Sequence, residues 1–245
     1  MVQNRINPNQ QIQKKQDQST TYEVNGLQVT LTPQIVRNYL VSGDKERVTI
    51  QEVAMFINLC KFSGLNPWLK EAYCIKYGSE PATMVVGKEA FQKRAESHPA
   101  FDGCESGIMV IHPELGEIED RKGSFRLPEE EIIGGWAEVW RKDRTHSTRI
   151  EVSFDEYAGR KKDGSLNGQW SKKPGTMIRK VALVQALREA FPNSFGGMYS
   201  AEEQGAIEPE YTNIPEVIDQ PEPPVEIPDE PTPNTGNAQT ALFGE

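Results

Sequence analysis

The chain has 245 residues, 36% of them hydrophobic and 26% charged, with a formal net charge of -9. That length holds one substantial core or two small ones, and the low apolar content implies that part of the chain lies outside any core. No run of 18 apolar residues is present to span a membrane, the first sixteen residues lack the apolar stretch of a secretory signal, and three cysteines without CxxC spacing (Cys60, Cys74 and Cys104) read as reduced, mostly buried thiols of a cytoplasmic protein.

Residues 1–21 are rich in Gln and Asn and nearly devoid of apolar side chains, which predicts a disordered segment. Residues 31–41 suit a short helix and residues 49–64 a stronger one. In the second, Thr49 and Glu52 make a T-x-x-E capping box, apolar Val53, Phe56, Ile57, Leu59 and Cys60 recur at helical spacing, and Gly64 stops the run. Residues 72–86 predict two short strands around a Gly-Ser-Glu-Pro turn. A short helix over 88–97 follows, then a second hairpin over 104–120 that turns at 113–116. A third hairpin is expected over 135–154, with Trp136 and Trp140 on one face of its first strand and a cationic tip. Ser153 and Glu156 repeat the capping-box pattern ahead of a brief helix.

Residues 159–170 form a Gly-rich basic loop, and a helix begins after Pro174. Met177, Ile178, Val181, Ala182, Leu183, Val184, Ala186, Leu187 and Ala190 cover almost its whole circumference, and a helix apolar all round is a buried one. The expected fold is therefore α+β, with antiparallel hairpins packed around a long buried central helix. This core is expected over 22–203. Residues 204–245 read as a disordered, acidic, proline-rich tail.

Taken whole, the net charge argues against nucleic acid, but the charge is not evenly spread. Residues 201–245 hold eleven acids and no Lys or Arg, whereas residues 141–200 hold twelve cations against six anions. The cations form three clusters: Arg141, Lys142 and Arg144 in the hairpin tip; Arg160, Lys161 and Lys162 in the loop; Lys172, Lys173, Arg179 and Lys180 around the helix start. Trp140, Tyr157 and Trp170 are interleaved. Cations that follow phosphates, with aromatic faces for bases, are the ingredients of single-strand binding. Cations crowded at the already positive start of a helix point the same way, because an anion there relieves the repulsion. Arg188, two turns on in a buried helix, is expected to pair internally with an acid.

Enzyme motifs are missing. The stretch VVGKEA at 85–90 fails as a phosphate loop, since Ala82 stands where Gly is required and Glu89 where a magnesium-binding Ser or Thr is required. His98, His112 and His146 are isolated, and no G-x-S-x-G elbow occurs. Glu129, Glu130 and Glu131 are the one candidate for magnesium-dependent nuclease chemistry, and a run of acids in a loop reads more simply as solvated. No catalytic residue and no cofactor is expected, and magnesium would act only by modulating DNA binding.

Five stretches carry a resemblance: GLNPWLKEAY (64–73), VVGKEAFQKRAESHPAFDG (85–103), WRKDRTH (140–146), the run from Trp170 through MIRK to REAF at 191, and FGGMYSAEE (195–203). Together they resemble the phage-encoded Bet group of RecT-like recombinases, over about residues 43–203. The resemblance implies ATP-independent annealing of complementary single strands by oligomeric rings or filaments that hold DNA in a basic groove. It implies a bacterial cytoplasm as the setting, with single-stranded DNA, annealed duplex and further copies of the chain as partners. By position it assigns DNA contact to Lys70, Arg141, Lys142, Arg144, Trp170, Lys172, Arg179, Lys180 and Arg188. For Arg188 this competes with the internal pairing read from the helix. Beyond 203 the acidic tail departs from the group. The tail closes on QTALFGE, where Gln239, Leu242 and Phe243 resemble the peptide that bacterial proteins insert into the replicative sliding clamp. A phage exonuclease and a host single-strand-binding protein are the other expected partners.

Overall fold

A computed structural model describes residues 19–205. The expectations for the N-terminal segment before Ser19 and for the tail after Gly205, including Gln239, Leu242 and Phe243, fall outside the described residues.

The described chain opens with an antiparallel hairpin, β1 (Thr20–Val24) and β2 (Leu27–Leu31). It turns at Asn25 and Gly26, with φ of 50° and 79°, the left-handed pair that a two-residue hairpin needs. This hairpin was not anticipated, and β1 takes in Thr20 and Thr21 from the stretch expected to be disordered. Tyr22 ties it down by donating its hydroxyl to the Leu65 carbonyl at 2.8 Å. The expected first helix is a single turn, α1 (Pro33–Ile35), that widens into a π-turn over Val36–Leu40.

Helix α2 (Ile50–Phe62) starts on a fully formed capping box: Thr49 N–H donates to Glu52 at 2.7 Å and Glu52 N–H to the Thr49 hydroxyl at 3.2 Å. It buries Val53, Phe56, Ile57 and Cys60. A three-stranded sheet follows, β3 (Val41–Gly43), β4 (Ala72–Lys76) and β5 (Thr83–Val86), in the order β3-β4-β5. Its β3–β4 pair is parallel, whereas only antiparallel pairs were expected. Three residues are too few to show alternation, and α2 supplies the crossover that a parallel pair requires. Helix α3 (Lys88–Glu96) leads into the second sheet.

That sheet has four antiparallel strands, β6 (Phe101–Ile111), β7 (Ile118–Lys122), β8 (Glu131–Arg141) and β9 (Thr148–Ser153), in the order β7-β6-β8-β9. Ile108, Val110, Ala137, Val139 and Val152 are buried at alternating positions, and so define one covered face. Two short helices, α4 (Phe154–Tyr157) and α5 (Gly168–Lys172), precede α6 (Pro174–Ala190). The Ser153–Glu156 pattern marks the start of α4, yet no side-chain cap bond forms there. Helix α6 packs on β8, β9 and β6. Eleven of its seventeen residues are buried, which leaves it no broad solvent face.

Candidate nucleic-acid interface

The direction of α6 decides which cations are neighbours. Near its start, Ile178 lies against Gly135 of β8, so closely that a Cβ on Gly135 would stand 2.7 Å from the Ile178 carbonyl oxygen. At its end, the Arg141 guanidinium donates to the Ala190 carbonyl. Six strand residues and twelve helix residues each cover about 20 Å, so α6 runs alongside β8 in the same sense. The hairpin tip after Arg141 therefore sits at the helix end, about 25 Å from Lys173 at 1.5 Å per residue. The three clusters do not make one spot. They lie at the two ends of α6.

Hairpin tip and helix end come first. Arg141 is held inside this junction. It forms a two-point ion pair with Asp143 (2.8 and 2.6 Å), caps the last turn of α6 through Ala190, and stacks over Phe191 at 4.6 Å. A cation at a helix C-terminus satisfies orphan carbonyls and complements their partial charge. The Asp143 carboxyl is pulled down to about 2, chiefly by the Arg141 hydrogen bonds against a smaller upward push from burial. Lys142 and Arg144 are exposed and without ion pairs among the described residues. Arg188, in the last turn of α6, pairs with Glu203 and lies 4.3 Å over the Tyr199 ring, the internal pairing that the helix pattern suggested.

At the helix start, the basic loop is an ordered finger. Arg160 bridges Leu166, Asn167 N–H donates to the Gly159 carbonyl at 2.8 Å, and Lys161 N–H donates to the Ser165 carbonyl at 2.8 Å. Arg160 is tied to Asp155 at 2.8 Å, and Lys161 and Lys162 project from the tip. The finger stands on Trp170. That side chain is 3% exposed and meets Phe154 edge-on, so it anchors the finger and offers no face to a base. Asn167 caps α5 through the N–H groups of Gln169 and Trp170. Lys173 breaks the path between α5 and α6 (φ -137°, ψ 53°), and Lys172 and Lys173 stand exposed without ion pairs among the described residues. The first turn of α6 has no side-chain cap and no acid.

Arg179 and Lys180 turn inward. Arg179 is half-buried, its Nε donating to the Ser106 hydroxyl at 2.9 Å. Lys180 is buried, its Nζ 3.1 Å from Glu202 Oε1. Lys70 is exposed on a different element, the turn before β4. There Asn66 caps Trp68 N–H, Pro67 opens a short 3-10 turn, and Lys70 closes it with φ 61°.

Two features went unread in the sequence. Glu130, from the acid run expected to be solvated, is 4% exposed. It accepts the Leu127 N–H at 2.8 Å and pairs with Arg121, and these contacts hold its carboxyl below the usual range. This glutamate is a brace. Among the described residues no group of three or more His, Cys, Asp or Glu side chains is placed to hold a metal ion. Secondly, the loop that Glu130 braces reaches the first turn of α6, with the Ser124 carbonyl 3.3 Å from where a Gly175 Cβ would stand.

Comparison with known proteins places the chain in a family. The RecT family profile matches residues 29–218, most of the sequence, and the chain belongs to that family. Over 148 residues it is 26% identical to a protein of Escherichia phage lambda called recombination protein bet; the match covers 59% of this chain and 48% of that protein, about half its length. It is 27% identical over 188 residues to an uncharacterised protein of Ureaplasma parvum, covering 75% of this chain and 76% of that one.

Proposed function

We propose that this protein binds single-stranded DNA and anneals complementary strands in phage homologous recombination, without ATP and as an oligomer or filament, in the cytoplasm of a bacterial host. Family membership supports the recombination role. On the chain itself one observation carries the DNA reading. Lys142, Arg144, Lys161, Lys162, Lys172 and Lys173 are exposed and unpaired among the described residues, while Arg141, Arg160, Lys180 and Arg188 are engaged by acids. Unpaired cations at both ends of a span of about 25 Å suit a polyanion of several nucleotides, in the range of roughly 4–16 that single-strand sites occupy.

Annealing follows from that arrangement. Two bare strands repel each other and fold on themselves. A row of protomers neutralises phosphates and holds one strand extended, and the second then pairs against a smaller electrostatic barrier. Base stacking drives the step with about 1.4 kcal/mol per base-pair step, so no nucleotide fuel is required. Magnesium competes for the same phosphates and weakens binding without taking part. On this reading Lys172 and Lys173 contact phosphates at the helix start together with Lys161 and Lys162 of the adjoining finger, Lys142 and Arg144 receive the strand at the far end, and Lys70 and Arg179 supply further contacts. The peptide Gln239, Leu242 and Phe243 recruits the host sliding clamp; deleting 239–245 abolishes clamp pull-down on this reading, and unchanged capture excludes it.

The test is a fluorescence annealing assay with complementary oligonucleotides, with and without ATP, with electron microscopy of the same sample. Equal acceleration in both arms, on assemblies visible in the micrographs, is expected. Binding without acceleration defines a coating protein instead, and shortening of the labelled strand defines a nuclease; either overturns the proposal.

A further inference from the structure

Residues 123–130 read Gly-Ser-Phe-Arg-Leu-Pro-Glu-Glu and join β7 to β8. Phe125 is 68% exposed. The loop that carries it is not slack. Buried Glu130 pairs with Arg121 behind it and accepts the Leu127 N–H, Glu130 N–H donates back to the Leu127 carbonyl at 3.2 Å, and Arg126 donates to the Glu130 carbonyl at 2.6 Å. These bonds order residues 126–130, directly after Phe125. The loop holds a large apolar ring in water, open to contact with something outside the fold.

The ring's position says what. Its neighbour Ser124 lies against Gly175, two residues after Lys173 and three after Lys172. The exposed aromatic and the two exposed, unpaired lysines thus belong to touching segments. Trp170, the aromatic nearest to those lysines in sequence, is buried and unavailable. Cations for phosphates beside one exposed aromatic face form a single-strand contact unit, since every base offers a π-face whatever its identity. Resting on the single-strand reading of the exposed cations, the geometry points to Phe125 as a stacking platform for a base, with Lys172 and Lys173 holding the adjacent phosphates.

The experiment compares full-length protein with Phe125→Leu and Phe125→Trp, and with a Lys172→Ala/Lys173→Ala variant. The probes are oligodeoxythymidylate and an abasic oligonucleotide of the same length, titrated by anisotropy across a salt series. Phe125→Leu is expected to weaken thymidylate binding by roughly five- to a hundred-fold, the range of one base–aromatic stack. The salt slope stays at its wild-type value, because no charge is lost, and binding to the abasic strand is unchanged. Phe125→Trp keeps thymidylate affinity and gains a fluorescence quench that the wild type lacks. Wild-type thymidylate affinity in Phe125→Leu overturns the assignment, and so does equal weakening on both oligonucleotides, which marks Phe125 as packing between protein surfaces. The lysine variant separates the two levels. An unchanged salt slope there defeats the reading of the exposed cations itself, whereas a reduced slope beside an inert Phe125→Leu defeats only the stacking role.

Discussion

Replacing Lys180 by Met tests whether this cation serves the fold or the DNA. Its Nζ lies 3.1 Å from Glu202 Oε1, with the two side chains 9% and 2% exposed, and the second Glu202 oxygen is buried without a hydrogen-bond partner among the described residues. Met keeps most of the apolar stem of Lys and removes the ammonium, its charge and its N–H donors. What remains is a carboxylate in a low-dielectric interior with its cation gone, a change that costs about 3–5 kcal/mol in comparable buried pairs. For a folded unit of this size, each kcal/mol moves Tm by about 2–4 °C, so a fall of roughly 6–20 °C is expected in a calorimetric or circular-dichroism melt. Adding Glu202→Leu removes the stranded charge, and the double variant should melt near the wild type or above it, as when a buried pair is replaced by apolar groups. Single-strand affinity at a temperature where all variants are folded should keep the wild-type salt slope, because a buried ammonium releases no counterion. A Lys180→Met protein that melts normally but loses about 0.7 of salt slope, the increment for one phosphate on a single strand, would refute the reasoning and put Lys180 on the DNA.

Three further outcomes follow from the same coordinates. The double variant Lys142→Ala/Arg144→Ala at the hairpin tip should lower the salt slope by up to about 1.4 without moving Tm, since neither side chain has an ion pair among the described residues; an unchanged slope removes the helix end from the DNA contact. Burial pushes the Glu52 carboxyl up, but hydrogen bonds from Lys76, the Thr49 and Ala82 N–H groups and the Thr49 hydroxyl outweigh it and bring it down from 4.5 to about 2. A carboxylate lowered on folding stabilises above its unfolded value, so that contribution should fade as pH drops from about 4.5 to about 2, and Glu52→Gln should flatten acid unfolding across that window. Gly135→Ala should cost about 1–3 kcal/mol in chemical denaturation, because the added methyl meets the Ile178 carbonyl at the α6–β8 contact; a neutral substitution would show that the helix can slide.

Local signals were readable where neighbours in sequence decide the outcome. Thr49 and Glu52 sit three apart, their capping box closes within one turn, and the helix appears where the pattern places it. Ser153 and Glu156 share that spacing, yet α4 is only four residues long and its cap bond does not form. Asn25-Gly26 carried a hairpin signal of its own, flanked by Tyr22 and Val24 on one side and Leu27 and Val29 on the other, and it was masked by the polar stretch before it. Strand β3 had no such signal, because three residues show no period.

The candidate site divides along the same line. Sequence counts cations, but it cannot say which of them a fold consumes. Lys180 finds its acid 22 residues on, Arg141 finds a carbonyl 49 residues on at the end of α6, and Arg188 finds Glu203, all through the packing of segments that composition leaves unconnected. Arg141 thus ties the end of α6 to β8, Lys180 and Arg188 tie Glu202 and Glu203 to α6, and the cations left over stand on turns and tips. That division suits the proposed annealing function. Paired cations resist loss of the fold when salt or competing polyanions rise, since buried pairs are little screened. Under the proposed function, the exposed cations give the salt-sensitive contacts to phosphate.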